Sequence, residues 1–520
     1  MLRCRHYEVC GLFAEADPKT QLCILHSENL NKDIPTFDAA LDIQRNHRNG
    51  KGDDFRWMVF PEDINFSVST FRTSVDFTDT KFCEDVNFDG TTFCKQAVFN
   101  RTKFCAGADF DEAKFCERAV FIAAKFSGSH NFSGAQFFKE AVFNRTKFCQ
   151  EAHFEGAKFC ERVHFRQTRF FGQAVFRSAT FFKDAYFDRT KFCQETDFGG
   201  ATFSKGTDFS RALFSNEVKV NFRSSQFRGR MLFRSEEASA QEETEERQQT
   251  IGIFTHGQQV DFRWVVIDPP DALTFVRADV TRCQFLGTDL RKVHFVGVTW
   301  PEVGHHISEA PDHFQQTETP LCLMGHMDRL CRLMKQRCRV KRRGVYDEIA
   351  PLEPSETRSL DQIELLYRQL KQNYEDQRDY ERAGDFHYGE KEMRRQNCNE
   401  TPRALRWLLW LYKVVSGYGE RALPPLIGAG LVLLLFAGLY MWFELSPTTQ
   451  NPNKVPPLAL TDTKTWIPAI VYSLEIMTWQ KPQLYTLADS CPRILYTIQS
   501  LLGPLLFGLF ALAIRQRMKR

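Results

Sequence analysis

Four residues at the start of the chain have the types and spacing to do chemistry. Cys4, Cys10, Cys23 and His26 form a C-x5-C-x12-C-x2-H set. Two ligand pairs flanking a short loop are the usual build of a tetrahedral zinc site, and three thiolates with one imidazole leave no open position for a substrate. The chemistry this predicts is structural. Zn²⁺ would fold a segment too short for a core of its own and let it cover an exposed strand edge beside it. Gly11 and Asp17-Pro18 supply turns between the ligands. A second set, Cys322, His326, Cys331 and Cys338, is irregularly spaced on a helical pattern and reads as thiols without a metal. Close to the C-terminus, Glu475, Thr478 and Trp479 are candidate pore or membrane-plane residues, because a carboxylate near a membrane is a functional candidate by default. The chain has no G-x-S-x-G, H-E-x-x-H or G-x-x-x-x-G-K motif. The expectation is a protein that is not an enzyme.

The elements that would position these residues are set by phenylalanine. From Phe66 to Phe214 the spacing alternates five, six, five, six for 28 consecutive positions, so the unit is eleven residues. That period fits neither a helix nor one long strand. It fits a coil whose short sides each send one large side chain inward. Two residues before nearly every Phe sits a small or β-branched residue, such as Ala97, Thr102, Ala113 or Ala157, and the intervening residues are polar. Two units per coil give four sides, with coils about 4.8 Å apart. His130 occupies a small inward slot and predicts a local distortion rather than a ligand site. A second block (260–301) steps by five through Phe275, Val280, Phe285, Leu290, Phe295 and Trp300.

Ala113-Lys-Phe-Cys and Ala157-Lys-Phe-Cys resemble the pentapeptide-repeat family. The resemblance implies a right-handed quadrilateral β-helix, a β-solenoid with Phe or Leu at the inward centre. The N-terminal Cys/His segment resembles small zinc-binding starts ahead of bacterial repeat proteins. Some members of the family mimic DNA through an acidic surface. Residues 72–230 instead hold 25 Lys plus Arg against 19 Asp plus Glu, which excludes a DNA mimic. Because cations and acids alternate along the sequence, nucleic acid is not the expected partner.

Sixteen cysteines could suggest disulfides, but Cys83, Cys94, Cys105, Cys116, Cys149, Cys160 and Cys193 simply recur in one repeat slot. The start, Met-Leu-Arg-Cys-Arg-His, has no apolar stretch of a secretory signal. Both points favour free thiols in a reducing cytosol. The domain reading is a zinc segment (1–50), the Phe-rich block (62–233), an acidic loop (234–259), the second block (260–301), a basic amphipathic helix (320–345) and a helical hairpin (356–396). The basic helix is a candidate contact for anionic lipid. Ser359 and Gln362 suggest a capping box at the hairpin start.

An interfacial helix (402–416) precedes two apolar stretches (423–445 and 494–514) long enough to cross a bilayer. Arg403, Arg406, Lys413 and Arg421 before the first, and Arg515, Arg517, Lys519 and Arg520 after the second, place both termini in the cytoplasm. Between them, 466–479 is apolar but too short to span, as in a re-entrant or interfacial helix. Span, short helix, span resembles the pore module of two-helix potassium channels. However, Thr478 is followed by Trp479-Gln480-Lys481-Pro482 and not by a glycine-rich filter. The sequence therefore points to an inner-membrane-anchored scaffold whose cytosolic β-helix meets an unknown protein partner. The alternative is a degenerate two-transmembrane pore gated by that β-helix, which would be a homo-oligomer.

Overall fold

The computed structural model describes residues 3–12, 21–47, 53–215, 217–235, 253–254, 258–306, 339–351, 358–420, 423–443, 446–447, 465–480, 485–486 and 490–518. The chain divides into two compact units, the first holding residues 1–302 and 345–358 and the second 303–344 and 359–520.

In the first unit the Phe periodicity builds a four-sided β-solenoid. Its sides are parallel sheets of 11, 8, 10 and 9 strands, called here the first to fourth sides after their opening strands Asp53–Asp54, Val59–Phe60, Ile64–Asn65 and Thr70–Phe71. Strands of two residues pair across a step of 22, as in Lys103 opposite Lys81 and Lys125. Through the middle coils the phenyl rings stack on their equivalents in the next coil, for example Phe99 on Phe121 at 4.7 Å and 1°. Within a coil the rings meet edge to face, as Phe110 and Phe121 do at 88°. Both are favoured aromatic geometries. Inward threonines return their hydroxyls to backbone: Thr102 Oγ1 donates to the Phe77 carbonyl at 2.7 Å and Thr146 Oγ1 to that of Phe121 at 2.6 Å. The corner before the second side turns through a residue with left-handed φ, among them Arg101 (56°), Arg145 (60°) and Arg189 (57°), which aims those side chains outward.

The two repeat blocks are one solenoid. Lys219 pairs with Gln259, Gln226 with Val266 and Met231 with Leu273. Phe254 packs 5.5 Å from Phe214, filling the next place in that column. Ser235 Oγ accepts from the Ile253 N–H at 2.7 Å and donates to the Arg277 carbonyl at 2.6 Å, so the ends of the acidic stretch are held together. The stretch itself, predicted as a loop, lies largely outside the described residues. The solenoid also starts earlier than residue 62. Phe55 and Phe60 continue the five-six alternation and are buried. At the far end, the short helix α3 (Tyr346–Ile349; α1 and α2 are given with the metal centre) brings back Asp347, whose carboxylate accepts from the N–H groups of Phe285 and Leu286 at 3.0–3.1 Å.

His130 does not break the register, since it pairs with Ala108 and Ala152. The corner before it is tight, a Cβ at Gly128 meeting the Ala106 carbonyl at 2.6 Å. The imidazole packs 4.7 Å from Phe126 and neither ring nitrogen has a hydrogen-bond partner. Burial holds its pKa down at about 3.

The second unit is mostly helical: α4 (Leu360–Asp376), α5 (Tyr380–Gln396), α6 (Arg403–Ser416), α7 (Leu423–Trp442), α8 (Trp466–Met477) and α9 (Ser490–Met518). Two sequence expectations are corrected here. Residues 339–343 are not the end of a basic helix but a strand paired with Glu302–His306. Val340 suits an extended pairing, and Arg342 is buried, its guanidinium over the Tyr367 ring at 4.9 Å and Nη1 donating to the Tyr367 hydroxyl at 2.9 Å. The remaining residues of that predicted helix, 320–338, with Cys322, His326, Cys331 and Cys338, lie outside the described residues. The side chain of Ser359 makes no cap hydrogen bond. It is Asp379, opening α5, that accepts from the Arg382 N–H.

The α5–α6 junction buries a charge network. Glu392 is fully buried and accepts from Arg395 at 2.7 Å, Lys413 at 3.1 Å and the Tyr418 hydroxyl at 2.9 Å. Tyr418 belongs to the Gly417-Tyr418-Gly419 turn, three consecutive left-handed residues. Burial, reinforced by Glu392, pushes the Tyr418 phenol well above its ordinary range.

Candidate metal centre

The helix α1 (Tyr7–Cys10) ends on Gly11 at φ 69°, a left-handed cap that reverses the chain directly after Cys10. A second turn, with the His26 N–H donating to the Cys23 carbonyl at 3.1 Å, sets the other ligand pair. All four ligand atoms of Cys4, Cys10, Cys23 and His26 lie within 4.8 Å of one another, and all four residues are buried. A tetrahedron with Zn–S of about 2.3 Å and Zn–N of about 2.0 Å has S···S edges of about 3.8 Å and S···N edges of about 3.5 Å. Cys10 Sγ and Cys23 Sγ stand 3.8 Å apart, Cys4 Sγ and His26 Nδ1 3.5 Å, and Cys23 Sγ and His26 Nδ1 3.1 Å. The donor set therefore fits a four-coordinate metal through Nδ1.

The surroundings agree with that assignment. His26 Nε2 faces the Arg56 carbonyl at 3.2 Å. A proton there leaves Nδ1 free to ligate, the usual outer hydrogen bond of a metal-bound histidine. The Cys23 and Leu12 N–H groups point at Cys4 Sγ (3.4 Å) and Cys10 Sγ (3.5 Å). Hydrogen bonds from Cys10 and Cys23 hold the Cys4 thiol well below its ordinary pKa. Burial alone would lower His26, yet the Cys23 and Cys4 sulfurs raise it to about 9. This compact set of charge-sharing groups is what a cation would resolve.

The segment is fastened to the first coil. The Val59 N–H donates to the Leu25 carbonyl at 2.8 Å, and Lys32 Nζ donates to the Val59 carbonyl at 2.6 Å. His6 stacks on Trp57 at 4.5 Å and Phe37 of α2 (Ile34–His47) meets Phe60 at 5.7 Å. His6, Lys32, Arg56 and Trp57 were not singled out by the sequence, because none has ligand spacing. The first rung of the Phe alternation, Phe55, would have pointed to them.

Glu475, Thr478 and Trp479 sit at the C-terminal end of α8. Thr478 Oγ1 donates back to the Leu474 carbonyl at 2.8 Å, and the exposed Trp479, at φ 61°, donates Nε1–H to the Ser500 carbonyl at 2.6 Å. Glu475 is half-buried. Leu423–Trp442 and Arg493–Arg515 are long and apolar enough to cross a membrane, and Leu431, Leu435, Leu501 and Leu505 on them are exposed.

Residues 165–213 match the family of pentapeptide repeats (9 copies). No curated protein and no solved structure matches the chain. The repeat region is a pentapeptide-repeat β-solenoid joined in one chain to two helices of membrane-span length.

Proposed function

We propose that the chain is a non-enzymatic scaffold anchored in the inner membrane, which holds its β-solenoid in the cytosol for a protein partner. The observation that carries this is the coupling, in one chain, of an uninterrupted solenoid to two apolar helices whose leucines are exposed. Both termini are cytoplasmic, following the Arg and Lys residues that flank the spans. The N-terminal set holds Zn²⁺ as a structural ion. In that role Cys4, Cys10, Cys23 and His26 seal the open edge of the first coil, and the metal supplies folding energy and no chemistry. The test is membrane extraction of the full chain with protease added from each side. Retention after alkaline washing, with the solenoid cut only from the cytosolic face, is expected. A protein released by the wash overturns the anchor. Metal analysis of the same preparation should return one zinc per chain, and less with Cys23→Ser.

A second reading, a pore regulated by the solenoid, draws on the packing of α8. Ser473 Oγ donates to the Leu433 carbonyl at 2.9 Å, and Gln499 Nε2 donates to Ser473 Oγ at 2.6 Å, tying the short helix to both spans. Ion flux from liposomes that changes with Glu475→Gln or Trp479→Ala would favour the pore. Flux absent at densities where a control channel passes ions would leave the scaffold.

A further inference from the structure

The fold gathers charges that the sequence scatters. Along the second side, the outward residue of six successive coils is Lys81, Lys103, Lys125, Lys147, Arg169 and Lys191, stacked in register. Five of the six are exposed, and among the described residues none forms an ion pair. The corner beside them adds Arg101, Arg145 and Arg189. Taken every 22 residues from 78–83 to 210–215, this side and its corner hold eleven Lys plus Arg against two Asp. Two of the corner cations are already matched, Arg101 with Asp79 and Arg166 with Asp188. The adjoining third side is opposite in sign: 84–89 and its equivalents through 194–199 hold nine acids and one cation.

We propose that this basic strip docks an α-helix of a partner protein that carries a stripe of carboxylates, one per turn. The inference rests on the scaffold reading and gives its partner a chemistry. Three features select that occupant. The cation column rises about 4.8 Å per rung, and one residue per helical turn rises about 5.4 Å. Over five intervals the mismatch is about 3 Å, which flexible lysine stems absorb. An extended peptide, with same-face residues about 6.7 Å apart, would slip by about 10 Å. Width decides against a bilayer. A plane laid on the second side also meets the edge carrying Glu84, Asp85, Glu151 and Glu195, whereas a helix about 10 Å across covers the basic strip alone. Duplex DNA winds its phosphates away from a straight row, one turn taking about 34 Å, so few of the six cations would be used. Lysine, a point charge without a guanidinium fork, makes the strip a long-range attractor more than a sequence reader.

The test uses the full-length protein in detergent micelles and two fluorescent helical peptides of equal composition, one with Glu on a single face and one with the same Glu spread around the helix. Tight binding of the striped peptide only is expected, weakening about tenfold between roughly 0.05 and 0.3 M salt. Lys103→Glu with Lys147→Glu, which leaves Lys125 between two new carboxylates and so preserves the column, should weaken it about tenfold further. Lys114→Glu with Lys158→Glu on the opposite side should leave it unchanged. Circular dichroism confirms that both variants fold. Equal binding of the two peptides, equal loss in both variants, or binding of phosphatidylserine vesicles or single-stranded oligonucleotide in place of the striped peptide would each overturn the proposal. Membrane extraction of the same protein reports on the anchor separately, so failure here leaves that reading intact.

Discussion

The solenoid and the helical unit handle buried polarity in opposite ways. Inside the solenoid the core is a stack of phenyl rings, with threonine hydroxyls such as that of Thr102 returned to a carbonyl, and every rung depends only on its two neighbours. In the helical unit the α5–α6 junction gathers its buried charge on a single carboxylate, Glu392, which faces Arg395, Lys413 and Tyr418. A repeat spreads its stability over many equivalent contacts. The junction concentrates it in one, where loss of either sign leaves an uncompensated charge.

This contrast can be broken by substitution. Phe143→Ala should cost about 4 kcal/mol, the cavity penalty of a buried ring. Hydrogen exchange should place the damage within a coil on either side; a chain unfolding as a whole would contradict nearest-neighbour stacking. Glu392→Ala should cost about 3 kcal/mol and melt the junction, exposing 400–420 to protease while the solenoid keeps its protection. Glu392→Gln, which retains a hydrogen-bonding group, should cost less. His130 sharpens the solenoid half. Its buried imidazole sits at about 3 against an ordinary value of about 6.5, so the unfolded chain binds the extra proton. Stability is full above pH 6.5 and falls as pH drops toward 3, by about 2 kcal/mol at pH 5. His130→Ala should flatten that part of the pH curve, read by thermal melts. Chelation should have the smallest global effect, raising amide exchange at Val59 and Phe60 while leaving the middle coils unchanged.

The solenoid was legible because its periodicity is local, one Phe every five or six residues, and the metal set because its four ligands lie within 23 positions of one another. What escaped was carried by longer separations. The cation column recurs every 22 residues, so on the sequence its members are separated by residues of the other sides, acids such as Glu84 and Glu151 among them. The continuity of the two repeat blocks rests on strand pairings across the acidic stretch, such as Met231 with Leu273. Arg339–Arg343 looked helical because its charges continue a basic run, but its partner is a strand some 35 residues earlier. The junction carboxylate is 21 residues from its lysine, with no spacing rule to connect them.

The two ends of the solenoid are closed unequally. At the start, a buried four-ligand set is fastened to the first coil through Leu25, Lys32 and Arg56. At the finish, one carboxylate, Asp347, reaches the backbone of Phe285 and Leu286. Under mechanical load the molecule is therefore a spring clamped at one end. Tension drawn through the chain would peel coils from the Asp347 end first, one turn at a time, each turn releasing about 22 residues of slack while those nearer the Cys/His set stay wound.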